Sequence, residues 1–174
     1  MIRIGFAFRL AVWAALLLAV AARAQQPAHT QAGPVPPAIL AAKKIFVSNA
    51  ASDSGLFPSP FSGERNRAYN QFYSALKAAG QYELVADPAD ADLVLELQLS
   101  FTPNIPTASR PTPAYPFFRL VVYDRKTHYV LWATTEWIEF AYMQSTHDRN
   151  FDSALSALVR DFETLTGKAP AAAN

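Results

Sequence analysis

Few residues in this chain are equipped for chemistry. There is no cysteine, and there are three histidines, His29, His128 and His147. Without cysteine there is no disulfide, no thiolate zinc site, no thiol nucleophile and no lipid anchor on an N-terminal cysteine. The histidines lack the H-E-x-x-H spacing, or any comparable one, that gathers metal ligands on one helix face. His147 and Asp148 are sequence neighbours and can pair like the base and orienting carboxylate of a hydrolase, but no G-x-S-x-G elbow accompanies them. Glu96 and Glu136 have apolar neighbours and would be a carboxylate pair for glycan hydrolysis if two strands brought them together. The alternation around Glu96 places it on a solvent face instead. Ser48, Ser52, Asp53, Ser54 and Gly55 precede a helix, where backbone N–H groups can hold an anion. Neither G-x-x-x-x-G-K-S/T nor G-x-G-x-x-G is present, so nucleotide binding is unsupported. No metal and no cofactor is expected.

The other candidates are aromatic. Leu56, Phe57 and Phe61 lie in the loop at 49–63. They either fold back over the core or form an apolar patch for a partner, and packing is the favoured reading. Tyr129, Trp132, Trp137, Phe140 and Tyr142 cluster around one strand. The period of two assigns Trp132 to the core and Trp137 to the opposite face, where it can bind a partner. The candidate partner-binding residues are therefore Phe57, Phe61 and Trp137.

These residues must be positioned by a clear alternation of elements. Residues 43–48 read as a short strand. A helix follows, with Tyr69, Phe72, Tyr73, Leu76 and Ala79 on one stripe, Ser62 as its cap and Gly80 as its stop. Residues 82–85 are a short strand, and residues 87–90 a turn. Ala91, Leu93, Leu95, Leu97, Leu99 and Phe101 then alternate with polar or smaller residues, the mark of a half-buried strand. Five prolines between 102 and 116 predict a long irregular connection. Residues 117–123 and 129–140 form a hairpin around Asp124-Arg125-Lys126-Thr127-His128. A last helix carries Phe151, Ala154, Leu155, Leu158, Val159, Phe162 and Leu165 on one side, with Asp148 or Asn150 at its start and Gly167 at its end. The fold expected is α+β, a two-layer sandwich in the order β-α-β-β-β-β-α, with a mainly antiparallel sheet and two amphipathic helices on one face.

Arg3 and Arg9 precede an uncharged run at 10–22, and Ala22-Arg23-Ala24 follows. This is the layout of a secretory signal cut between Ala24 and Gln25, and the run is too short for a comfortable membrane anchor. The domains expected are a signal peptide at 1–24, a flexible proline-rich leader at 25–41, one α+β domain at 42–167 and a disordered tail at 168–174. The whole chain has a net charge of +1. Removal of Arg3, Arg9 and Arg23 leaves 12 basic residues against 14 acidic ones, a net of −2. Neither value is the footprint of a nucleic-acid binder.

Three motifs in order resemble one group of bacterial envelope domains. They are KKIFVSN followed by RNRAYNQFYSALKAAG, then DPADADLVLELQLS, then the hairpin FRLVVYDRKTHYVLWATTEW. The set resembles the α/β domain of the curli-secretion lipoprotein CsgG, the N-terminal domain of TolB and the LpoB penicillin-binding-protein activators, over residues 43–166. The resemblance implies a non-enzymatic module that binds or assembles envelope proteins. This chain departs from the group in lacking the anchoring cysteine and in carrying His128 where the hairpin usually has Gly. The expectation is thus an exported protein, periplasmic or secreted, with no stable membrane anchor after signal removal. It would bind another envelope protein and not nucleic acid. The alternative is a small envelope hydrolase acting on glycan or peptide.

Overall fold

A period of two in the sequence builds the centre of the sheet. The computed structural model describes residues 33–50, 61–102, 106–107, 110–111 and 115–167. Strand β3 (Leu93–Phe101) carries Leu93, Leu95 and Leu97 into the core, while Val94, Glu96 and Gln98 face the other way and are half-buried. On one side β3 pairs in parallel with β1 (Lys44–Asn49), whose Ile45 and Val47 sit beside Leu93 and Leu95. On its other side β6 (Pro116–Asp124) runs antiparallel, placing Phe118, Leu120 and Val122 opposite Leu99, Leu97 and Leu95. β7 (Val130–Trp137) pairs antiparallel with β6, and the two-residue β2 (Glu83–Leu84) pairs in parallel with β1. The order is β2-β1-β3-β6-β7, an α+β fold with a mixed sheet: β1 is parallel to both its neighbours and the rest is antiparallel.

Two helices cover one face. In α2 (Arg67–Ala79), Phe72 and Leu76 are fully buried and Tyr69 and Tyr73 half-buried, as the stripe predicts. Gly80 ends it with φ 63°, a left-handed stop that costs glycine little. In α3 (Gln144–Leu165), Phe151, Ala154, Leu155, Leu158, Val159 and Phe162 are buried in the same core as the leucines of β3. No helix among the described residues is long and apolar enough to cross a membrane.

Four local expectations differ from the structure. Residues 37–41, read as the end of a flexible leader, form helix α1 (Pro37–Ala41), and Ile39 is 1% exposed within the core. Pro37 sits in the first turn, where its missing N–H has no bond to lose. Helix α2 starts at Arg67, not under a Ser62 cap, because Ser62 is engaged by α3. Helix α3 starts at Gln144, so neither Asp148 nor Asn150 caps it. Asn150 instead donates its amide to the Glu139 carbonyl. The connection after β3 is not wholly irregular. Thr102 and Tyr115 continue the β3–β6 ladder, and β4 (Pro106–Thr107) pairs antiparallel with β5 (Arg110–Pro111).

Candidate functional site: an open sheet edge and its aromatic residues

The alternation of hydrogen bonds along β7 determines what its outer side presents. The Ile138 N–H donates to the Pro116 carbonyl. Backbone groups of an antiparallel strand point alternately to either side. Positions 132, 134, 136 and 138 therefore bond to β6, and Ala133, Thr135 and Trp137 turn their N–H and C=O groups outward. Among the described residues no strand pairs with that edge. β7 has eight residues and contains neither Pro nor Lys; its blunting features are the inward-facing Glu136 and the register irregularity where it meets Val122 and Tyr123. The opposite edge, β2, is two residues long and carries the Lys44–Glu83 ion pair at 3.5 Å.

Side-chain alternation sorts the aromatic residues. Trp132 lies on the helix face, opposite Val122, and packs against the core, as expected. Trp137 lies on the helix-free face, 56% exposed, with its ring 5.1 Å from that of Phe117. Beyond the strand, Phe140, Tyr142 and Met143 are exposed, and the Phe140 and Tyr142 rings meet edge to face at 5.1 Å. The open edge thus ends in large apolar side chains. The sequence marks Trp137, Phe140 and Tyr142, but it gives no sign that their strand is outermost.

For Phe61 the favoured packing reading holds, and its place among the partner-binding residues is corrected. It is 7% exposed, stacked on His147 at 4.6 Å and against Phe151 at 4.8 Å. Its environment comes from a polar clamp that bridges both helices. Asp148 accepts hydrogen bonds from the Ser62 N–H and hydroxyl, from Gln144 and from Arg67. Arg67 also reaches the Ser62 carbonyl at 2.9 Å and Asp152 at 2.6 Å, and lies 4.5 Å above the Phe151 ring. Led by the Ser62 hydroxyl, these donors hold the Asp148 carboxyl at about 2. Phe57, Ala24 and Gln25 lie outside the described residues.

The candidate catalytic groups do not converge. The Ser62 hydroxyl donates straight to Asp148, whereas a hydrolase triad needs an imidazole between them. Glu96 and Glu136 are separated by β6 and project from opposite faces of the sheet. Burial, then a hydrogen bond that the protonated Glu136 donates to Asp161 and the Asp161 charge, raise the Glu136 carboxyl, so it belongs to the helix layer. Glu96 does line a cleft of about 710 Å³ on the helix-free face, together with Tyr123 and the β6–β7 turn. Burial and the neighbouring Glu96 carboxylate raise the Tyr123 hydroxyl.

No protein-family model and no curated protein matches the sequence. Solved structures do. The PelC dodecamer from Paraburkholderia phytofirmans matches at 14% identity and TM-score 0.39, over 81% of this chain and 96% of that one. The LpoB C-terminal domain from Salmonella enterica matches at 13% identity and TM-score 0.36, over 56% and 83%. A DUF4136 family protein from Bacteroides thetaiotaomicron matches at 13% identity and TM-score 0.47, over 80% and 93%.

Proposed function

We propose that this protein is an exported, non-enzymatic binding or assembly module of the cell envelope, which adds an extended segment of another envelope protein to the outer edge of β7. The observation that carries the reading is the eight-residue edge with outward backbone groups at Ala133, Thr135 and Trp137 and no strand beside it among the described residues. Main-chain bonds along such an edge supply affinity, and side chains such as Trp137 supply selectivity. The basic start, apolar run and Ala22-Arg23-Ala24 support export, and N-terminal sequencing of the protein from cells should then read from Gln25. Finding Met1 or Ile2 there contradicts export.

Proline substitution along β7 tests the binding. Thr135→Pro deletes an outward N–H and leaves the β6 ladder intact, whereas Thr134→Pro deletes a ladder bond. The reading expects Thr135→Pro to stay folded and lose its cross-linked envelope partner. Retention of every partner by a folded Thr135→Pro variant refutes it. The second reading, a small hydrolase of glycan or peptide, is favoured by the cleft that holds Glu96 beside Tyr123. It requires Glu96→Gln to abolish cleavage of a glycan or peptide that the wild type cleaves.

A further inference from the structure

The cleft on the helix-free face has a floor and two walls. Val94 and Tyr123 face each other across the β3–β6 ladder and form the floor with Glu96. Pro88 and Ala89, from the 3-10 turn at Pro88–Asp90, form one wall. The β6–β7 turn forms the other, with Arg125, Lys126 and His128. A volume of about 710 Å³ is that of a small-ligand site.

The charges in it are unevenly committed. The Asp124 carboxylate accepts the Thr127 N–H and hydroxyl and so serves the turn. The Glu96 carboxylate accepts from the Gln98 amide and is hydrogen-bonded to Tyr123. Neither Arg125 nor Lys126 has a salt bridge among the described residues. The wall presents Arg125 and Lys126 beside the Asp124 carboxylate, with Lys126 also acting on Asp92, and the floor is an array of hydroxyl, amide and carboxylate groups next to an aliphatic side chain.

His128 adds a second line of argument. Its φ is 61°, and among the described residues it is the one non-glycine residue with positive φ. Its N–H closes the turn onto the Asp124 carbonyl at 2.8 Å. Glycine would hold that backbone at less cost. The chain bears this strain at a residue that lines the cleft, which is where strain tends to serve function.

We propose that this cleft binds an anionic saccharide, its carboxylate or phosphate held by Arg125, Lys126 and His128 and its ring hydroxyls by Glu96 and Tyr123. The acidic group meets Arg125 and Lys126, neither of which is in a salt bridge among the described residues, and a guanidinium takes either oxyanion in bidentate fashion. Sugar hydroxyls, both donor and acceptor, fit the Glu96–Tyr123 pair, and the C–H edge of a ring fits Val94. This inference is independent of the β7 edge.

Calorimetric titration of the purified protein tests it with trigalacturonic acid, glucose 6-phosphate, maltotriose and inorganic phosphate. At least one of the two acidic sugars should bind, and which one does identifies carboxylate or phosphate as the ligand group. Its affinity should fall with added salt and fall at least tenfold in an Arg125→Ala/Lys126→Ala variant. His128→Gly should weaken it severalfold while leaving the melting temperature unchanged or raised, a combination that a purely structural role does not produce. The inference is overturned if neither acidic sugar binds, if maltotriose or inorganic phosphate binds as tightly as the acidic sugar, or if the basic-wall variant binds like the wild type.

Discussion

Asp148 provides the sharpest test of how the fold is held together. Replacing it with Asn keeps the shape of the side chain and removes the charge that the Ser62 hydroxyl and N–H, Gln144 and Arg67 all address. The carboxyl is held at about 2, against an ordinary 3.8. At about 1.4 kcal/mol per unit, that difference has a ceiling of about 2.5 kcal/mol at neutral pH. The side chain is 18% exposed, and screening by water reduces this to roughly 1–2 kcal/mol. A carboxylate held low stabilises the fold above its unfolded value. The gain is present above about pH 4 and disappears as the pH falls toward 2. Urea unfolding of wild type and Asp148→Asn at pH 7 should differ by about 1–2 kcal/mol, with no change in the dependence on urea. The gap should close as the pH is lowered through that window. Equal stability of the two at pH 7, or a gap that persists undiminished at pH 2, refutes the clamp.

Three further outcomes are expected. His128→Gly should be neutral or stabilising by up to about 1 kcal/mol in a thermal melt and His128→Val destabilising, since β-branched residues strain at φ 61°; a clearly weaker glycine variant contradicts the turn geometry. Glu136→Gln should raise the melting temperature at pH 7. Burial and Asp161 disfavour the charged carboxylate there, so its destabilisation grows as pH rises through the raised value, and the benefit of Gln should vanish at acid pH. Phe61→Ser should cost about 3 kcal/mol or more by circular dichroism, because it empties a packed aromatic site, whereas Trp137→Ser should cost less than about 1 kcal/mol; equal losses contradict the assignment of one to the core and the other to the surface.

The legible parts of the fold are those coded over a few residues. The leucine alternation of β3, the stripes of α2 and α3, and the glycine stops at Gly80 and Gly167 require only local periodicity and backbone freedom. The positive φ of His128 was legible too, through the motif in which glycine usually stands. What remained hidden depends on contacts distant in sequence. Asp148 looks like a helix cap until Ser62, 86 residues away, supplies its donors. Phe61 stays open between core packing and an exposed patch, with packing favoured, until His147 and Phe151 enclose it. The open side of β7 follows from strand order, and the cleft from the meeting of a 3-10 turn with a hairpin, neither of which any window of sequence encodes.

The account stands or falls on what touches β7 in the cell. A photo-activated cross-linking residue placed at Thr135, with Ser156 on the exposed side of α3 as the control position, measures this directly. The account predicts a discrete adduct with an envelope protein from Thr135, none from Ser156, and loss of the Thr135 adduct when Trp137→Ser is added. Adducts of equal yield from both positions, or none from Thr135 in the protein at its native level, contradict it.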